Sequence, residues 1–273
     1  MSPSKPLILL RGGGDLASGV ALRLYRAGLP LVISELAQPL AVRRAVAFAE
    51  AVYEGRHAVE GVTARLVKRD QLTAALEAGE IPVVIDPNAD ILSTVHFLIV
   101  VDARLTKQRP TPLPAAVPLH IGLGPGFHAG RDCHAVIETR RSHTLGRVSW
   151  EGTAQADSGE PEGDPRRVLR APVDGVLTAH KKIGDHCEAG EVIAVIGDEY
   201  PVVSSISGVL RGIIRAGLHV PKGLKVGDVD PRNDVRACYL ASDKALAIGG
   251  GVLEAILSRP EIRSQLWDSY EQV

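Results

Sequence analysis

Cysteine is scarce in this chain: Cys133, Cys187 and Cys238 are widely spaced, odd in number and in no CxxC pair. That argues against a disulfide framework and against a structural zinc site, and no metal is expected. No apolar run approaches the ~20 residues of a membrane span, and the start, MSPSKPLILL, is too short and unflanked for a signal peptide. A cytoplasmic protein with no membrane partner is the expectation. A charge excess is missing as well, with 31 basic residues against 32 acidic ones, so nucleic acid is not expected as a partner. What is present is ordinary for a globular protein, 45% apolar and 23% charged over 273 residues, a length suited to two domains.

The chemistry concentrates in Pro118–Val148. A short apolar strand there breaks into a loop with Gly122, Gly124, Gly126 and Gly130, followed within a dozen residues by Asp132, Cys133, His134, Glu138, Thr139, Arg140, Arg141 and His143. Glycines let a backbone approach a ligand or take positive φ. The stretch is either a functional seam between two domains or an elaborate linker. Cys133 beside His134 suits an activated thiolate, and equally a passive loop thiol.

The N-terminal part reads as alternating strands and helices. Leu7–Leu10 is a buried parallel strand, and it enters Arg11-Gly12-Gly13-Gly14-Asp15-Leu16-Ala17 and a helix through Ala27; Leu31–Ser34 is the next strand. Gly12, Gly14 and Ala17 satisfy G-x-G-x-x-A, and Glu35 lies 21 residues after Gly14, where a ribose-binding acid is expected. Bare glycines would let a phosphate reach the helix N-terminus, whose N–H groups favour anions; the alternative is a tight turn in an empty scaffold. Arg43 and Arg44 read as a solvated helix face. A weak strand at Leu66–Val67 and a helix from Asp70 to Ala78 follow. The strands Pro82–Ile85 and Phe97–Val101 then end in Asp86 and Asp102, acids at the ends of parallel strands where ligands bind. Arg11, Gly12, Gly13, Gly14, Asp15, Glu35, Asp86, Asp102, Gly124 and Gly126 are therefore the candidate binding residues. No catalytic residue is assigned, and whether a reaction is catalysed stays open.

After a polar run from Gly152 to Arg167, the sequence repeats itself at an offset of 33 residues: Gly175-Val176-Leu177 answers Gly208-Val209-Leu210, Gly184 answers Gly217, His186 answers His219 and Gly190 answers Gly223. These units are rich in Val, Ile, Gly and turns, so they are strands. They resemble the half-motifs of biotinyl and lipoyl domains, a barrel-sandwich hybrid. The hairpin Ile196–Pro201, which would carry the modified lysine, contains none, so neither biotin nor lipoate is expected. The paired histidines read as solvated turn residues. At the C-terminus, Ser242 caps a helix to Leu257, and Pro260 starts a last short one.

These features give an α/β expectation: a Rossmann-like nucleotide-binding-type domain over 1–150, an all-β barrel-sandwich-hybrid domain, non-carrier, over 165–235, and a helical segment over 240–273. Arg11–Ala17, Gly122–Phe127, Ala135–Thr139, Leu145–Arg147, Arg170–Gly175 and Lys225–Arg232 together resemble the selenium-dependent molybdenum hydroxylase accessory family. The resemblance implies maturation of such an enzyme, with a molybdenum hydroxylase as protein partner and a nucleotide-like ligand, NAD(P) or the molybdenum cofactor. The alternative reading is an NAD(P)-dependent oxidoreductase, or a nucleotide-using transferase acting on a selenium or sulfur species. Homo-oligomers are compatible with either.

Overall fold

The first apolar run forms β1 (Ile8–Arg11), buried along its whole length, and a computed structural model places it centrally in a mixed sheet. The structure describes residues 6–159 and 163–267. The chain divides into two units, one of Met1–Pro39, Phe48–Ser158 and Ala241–Val273, the other of Leu40–Ala47 and Gly159–Leu240.

In the first unit, α1 (Asp15–Arg26) leads to β2 (Leu31–Glu35), and one turn of helix, α2 (Ala51–Glu54), to the hairpin of β3 (Arg56–Val59) and β4 (Val62–Leu66). The helix α3 (Leu72–Glu77) then precedes β5 (Ile81–Ile85), β6 (Ile99–Asp102) and β7 (Leu119–Leu123). Short strands β8 (His128–Ala129), β9 (Ala135–Ile137), β10 (Val148–Ser149) and β11 (Gly152–Thr153) follow, and the C-terminal helices are α4 (Asp243–Leu257) and α5 (Pro260–Trp267). Among the described residues the main sheet has nine strands, in the order β10-β9-β7-β6-β1-β2-β5-β4-β3. Its inner strands are parallel and both edges are antiparallel.

One face of the sheet is closed by Leu72 and Ala75 of α3 with Ala89, Ile91 and Phe97, packed on Leu9, Val32, Val84 and Val100. Elsewhere in this unit α4 lies against α1, β7 and β9. Ser242 caps α4 as expected, accepting from the Ala245 N–H at 3.1 Å. The glycines within that helix answer to close backbone approach: a Cβ at Gly249 would lie 3.0 Å from the Gly19 carbonyl oxygen, and one at Gly251 would collide with the Gly146 carbonyl.

In the second unit, β12 (Val168–Arg170), β13 (Gly175–Ala179), β14 (His186–Cys187), β15 (Val192–Ile196), β16 (Tyr200–Val203), β17 (Gly208–Ile213), β18 (His219–Val220) and β19 (Lys225–Asp230) make two antiparallel sheets. Their orders are β12-β19-β17-β14 and β16-β15-β13-β18. The 33-residue repeat is visible in these elements, since β13, β14 and β15 answer β17, β18 and β19. Pairing is crossed: β14 bonds to β17 of the second half, and β18 to β13 of the first. Leu177, Cys187, Ile193, Leu210, Val220 and Val226 fill the space between.

This architecture corrects the expected Rossmann-like domain joined to a barrel-sandwich hybrid. A doubly wound domain carries a covering helix in each crossover. Here β5 reaches β6 through a single 3₁₀ turn (Asp90–Ser93), β6 reaches β7 by an irregular loop, and hairpins close both edges. Two local expectations also change. Asp70 sits inside a 3₁₀ turn (Arg69–Gln71), and α3 begins only at Leu72. Arg43 is not on a solvated face: it is 7% exposed and donates to the carbonyls of Ala237 and Leu240 at 2.9 Å each. Among the described residues no helix is long and apolar enough to cross a membrane.

Candidate functional site

The carboxyl ends of β1, β2, β5, β6 and β7 bring several candidates to one edge of the sheet. Arg11 and Asp102 face each other in register. The Arg11 guanidinium donates from Nη1 to Asp102 Oδ2 at 3.1 Å and from Nη2 to the Pro87 carbonyl at 3.2 Å. Burial works against the arginine's charge, and Asp102 works for it. Asp102 also receives Arg104, from Nε at 2.9 Å and Nη2 at 2.7 Å, so one buried carboxylate serves two guanidinium groups.

The glycine loop is built by its surroundings. Gly12 has φ +95°, which its lack of a side chain permits. The Gly13 N–H donates to Glu35 Oε2 at 2.6 Å, and the Leu36 N–H donates to Oε1 at 2.7 Å. Glu35, expected beside a ribose, thus has both oxygens on backbone and holds the loop to the end of β2. A Cβ at Gly13 would lie 2.8 Å from the Ala49 amide nitrogen, whereas one at Gly14 would meet nothing within 4 Å. Gly14 is the N-cap of α1, with no side-chain cap, and Asp15 opens the first turn.

Asp86 caps the turn beyond β5, accepting from the N–H groups of Asp90 and Ile91 at 2.9 and 2.8 Å, with Arg69 at 3.5 Å. A groove of about 560 Å³ adjoins it, lined by Leu66, Lys68, Arg69, Gln71 and Ile85.

Gly124 and Gly126, expected to bind a ligand, do not face open space, because the chain itself occupies it. A Cβ at Gly126 would collide with the Thr106 carbonyl, and one at Gly124 would lie 3.2 Å from Thr139 Oγ1. The loop after β6 runs between these glycines and Gly12, whose Cβ would be 3.5 Å from the Ala103 carbonyl oxygen. Arg11, Gly12 and Asp102 are therefore brought together with Arg104, while Gly124 and Gly126 serve packing.

Cys133 is 7% exposed, its thiol directed at the Ala135 carbonyl, and burial pushes its pKa up to about 11. It is a protonated, inert thiol. Asp132 is held well below the usual carboxylate range by hydrogen bonding to Arg131 and then by Arg109. The residue that motif reading missed is His120, in β7, which is 8% exposed with Nε2 unpartnered. Burial lowers its pKa to about 4. Among the described residues no group of three or more His, Cys, Asp or Glu could hold a metal ion.

Comparison with known proteins sets this geometry beside two groups. The chain is 47% identical over 266 residues to the uncharacterized protein YqeB of Escherichia coli K12; the match covers 94% of this chain and 49% of that protein. The chain thus spans about half the length of the curated relative it matches. No family model matches. Solved structures with partial likeness are an aspartoacylase family protein from Mesorhizobium loti (TM-score 0.26, 11% identity, 84% of this chain and 85% of that one) and a succinylglutamate desuccinylase/aspartoacylase from Rhodobacter sphaeroides (TM-score 0.25, 15% identity, 84% and 86%). An ectoine utilization protein from Ruegeria pomeroyi gives a TM-score of 0.25 at 13% identity, over 82% and 85%. Likeness this low assigns no activity to the chain. None of these proteins is described as a molybdenum hydroxylase accessory protein, a selenium protein or a nicotinamide-dependent oxidoreductase, and the Escherichia coli relative is uncharacterized. The resemblance to the accessory family, the maturation role and the oxidoreductase or transferase alternative are corrected accordingly.

Proposed function

We propose that this chain binds a small anionic molecule, a phosphate or carboxylate, at the first turn of α1, beside Arg104. The observation that carries the reading is Gly14. It is the one residue of the three-glycine loop with open space where a side chain would stand, and it begins a 12-residue helix lacking a side-chain cap. The N-terminal end of a helix, with its dipole, favours an anion. The Arg104 amide nitrogen lies 3.6 Å from where a Cβ on Gly12 would stand, two residues before Gly14, and the Arg104 side chain is 29% exposed.

The test is calorimetric titration of the full chain with inorganic pyrophosphate and with succinate, repeated on Gly14→Asp. Aspartate is a good N-cap and fits the space, so the variant keeps or raises its melting temperature. Its carboxylate takes the position of the anion, and binding is expected to fall at least tenfold. Absence of binding of either probe to the unmodified chain defeats the reading, as does undiminished binding to Gly14→Asp.

A further inference from the structure

The strand β5 is buried from Ile81 to Val84, yet its last residue, Ile85, is 49% exposed. Taking such a side chain out of water is favourable in proportion to the apolar area covered. Ile85 lines the groove of about 560 Å³ described above, together with Leu66, the last residue of β4, and Val67 beyond it. That volume falls within the range of small-molecule sites, roughly 300–1,000 Å³, which pair apolar walls with a few placed polar groups.

The polar groups come from the 3₁₀ turn that follows β4. Lys68, Arg69 and Gln71 line the same groove. The turn is held in shape by its own ends: the Gln71 side-chain carbonyl accepts from the Lys68 N–H at 3.0 Å, and the Gln71 N–H donates to the Lys68 carbonyl at 3.0 Å. The Val67 N–H, donating to the Val83 carbonyl at 2.9 Å, ties it to β5. Two cations therefore stand on a fixed support beside an apolar wall.

Neither cation is fully engaged. Lys68 is exposed and forms no ion pair among the described residues. Arg69 is 46% exposed, and its Nη2 is 3.5 Å from Asp86 Oδ1. Both Asp86 oxygens already accept from backbone, from the Asp90 and Ile91 N–H groups, so this carboxylate holds the arginine loosely. Asp70, in the same turn, is not among the residues that line the groove. An apolar molecule here would leave the two cations unused, and a compact anion would leave Leu66 and Ile85 in water. A molecule with an aliphatic body and one carboxylate answers both.

We propose that this groove is a second binding site, for an aliphatic monocarboxylate of medium chain length. Its tail covers Leu66 and Ile85, and its head meets Lys68 and Arg69. The site uses none of the residues of the anion site at α1 and does not depend on it.

Octanoate, octan-1-ol and acetate, titrated calorimetrically into the full chain, separate tail from head. Octanoate is expected to bind about tenfold more tightly than either of the others, or better. Lys68→Gln combined with Arg69→Gln is expected to abolish the preference for octanoate over octan-1-ol. Ile85→Ser is expected to weaken octanoate by about tenfold. Saturating pyrophosphate is expected to leave octanoate binding unchanged, whether or not pyrophosphate itself binds at α1. The proposal is overturned if octanoate does not bind, or binds no better than octan-1-ol or acetate. Full affinity in Ile85→Ser, or a preference that survives loss of both cations, also overturns it. Competition by pyrophosphate would assign octanoate to the anion site and overturn it too. Should Ile85→Ser not fold, methyl NMR of the isoleucine-labelled chain decides. The Ile85 methyl signals must move on addition of octanoate and stay on addition of acetate; signals indifferent to octanoate overturn the proposal.

Discussion

Arg11 at the end of β1 and Asp102 at the end of β6 face each other across parallel strands and form an ion pair of 3.1 Å, with side chains 3% and 1% exposed. Such a pair is costly to assemble and costlier to break, because removing one partner strands the other charge in a medium that does not solvate it. Asp102→Asn, which keeps shape and removes charge, is expected to destabilise the chain by about 3–5 kcal/mol, read from urea denaturation. Adding Arg11→Met should recover part of that loss, since the two changes touch one interaction. Additive effects would show that the pair is not coupled.

Adjacent glycines of α4 should respond oppositely to alanine. A Cβ at Gly250 meets nothing within 4 Å, so Gly250→Ala is expected to stabilise the chain by up to about 1 kcal/mol through helix propensity alone. A Cβ at Gly251 collides with the Gly146 carbonyl, and Gly251→Ala is expected to cost about 1–3 kcal/mol. Thermal melts of both variants check the pair of signs.

Cys133 should resist alkylation in the folded chain and react once urea unfolds it, as followed by intact mass with iodoacetamide. Its folded pKa of about 11 stands above the ordinary thiol value of 9.0. The folded state therefore holds the thiol proton longer than the unfolded state does, and this contribution to stability is lost as pH rises from about 9 towards 11. Cys133→Ala should flatten that part of the stability profile. Rapid labelling under native conditions would show an accessible thiolate instead.

His120 predicts a loss of stability on the acid side. Its folded pKa of about 4 lies below the ordinary imidazole value of 6.5, so the unfolded chain takes up a proton in that window and the folded one does not. Stability from this group is complete above pH 6.5 and falls as pH drops towards 4. Urea midpoints for His120→Phe should be less sensitive to pH across the window than those of the unmodified chain.

Elements with strong local signals were legible in the chain. The apolar run before Arg11, the glycine turn, α1 and β2 stand where hydrophobic periodicity puts them, and Ser242 caps α4 as its position predicts. The repeat was legible because turn glycines recur at fixed spacing. Strand order was not, since β6 follows β5 in sequence yet pairs with β1. The hairpin of β3 and β4 was missed because its strands are half-exposed and mix charge with apolar residues. Gly126 misled for a physical reason: a missing Cβ admits a neighbouring carbonyl of the same chain as readily as a ligand. His120 gave no signal, because one histidine inside an apolar strand carries no period or spacing, and only burial and its unmet nitrogen distinguish it.

The crossed pairing of β14 with β17 and of β18 with β13 has a consequence for ancestry. A single 33-residue half leaves its long strand without the short strand that should lie beside it, and its own short strand lacks a long one to join. Two copies meeting about a two-fold axis would satisfy both needs at once. The second unit thus has the form of a symmetric dimer made permanent by duplication, and cutting the chain between Val203 and Gly208 should yield two fragments that reassemble with each other.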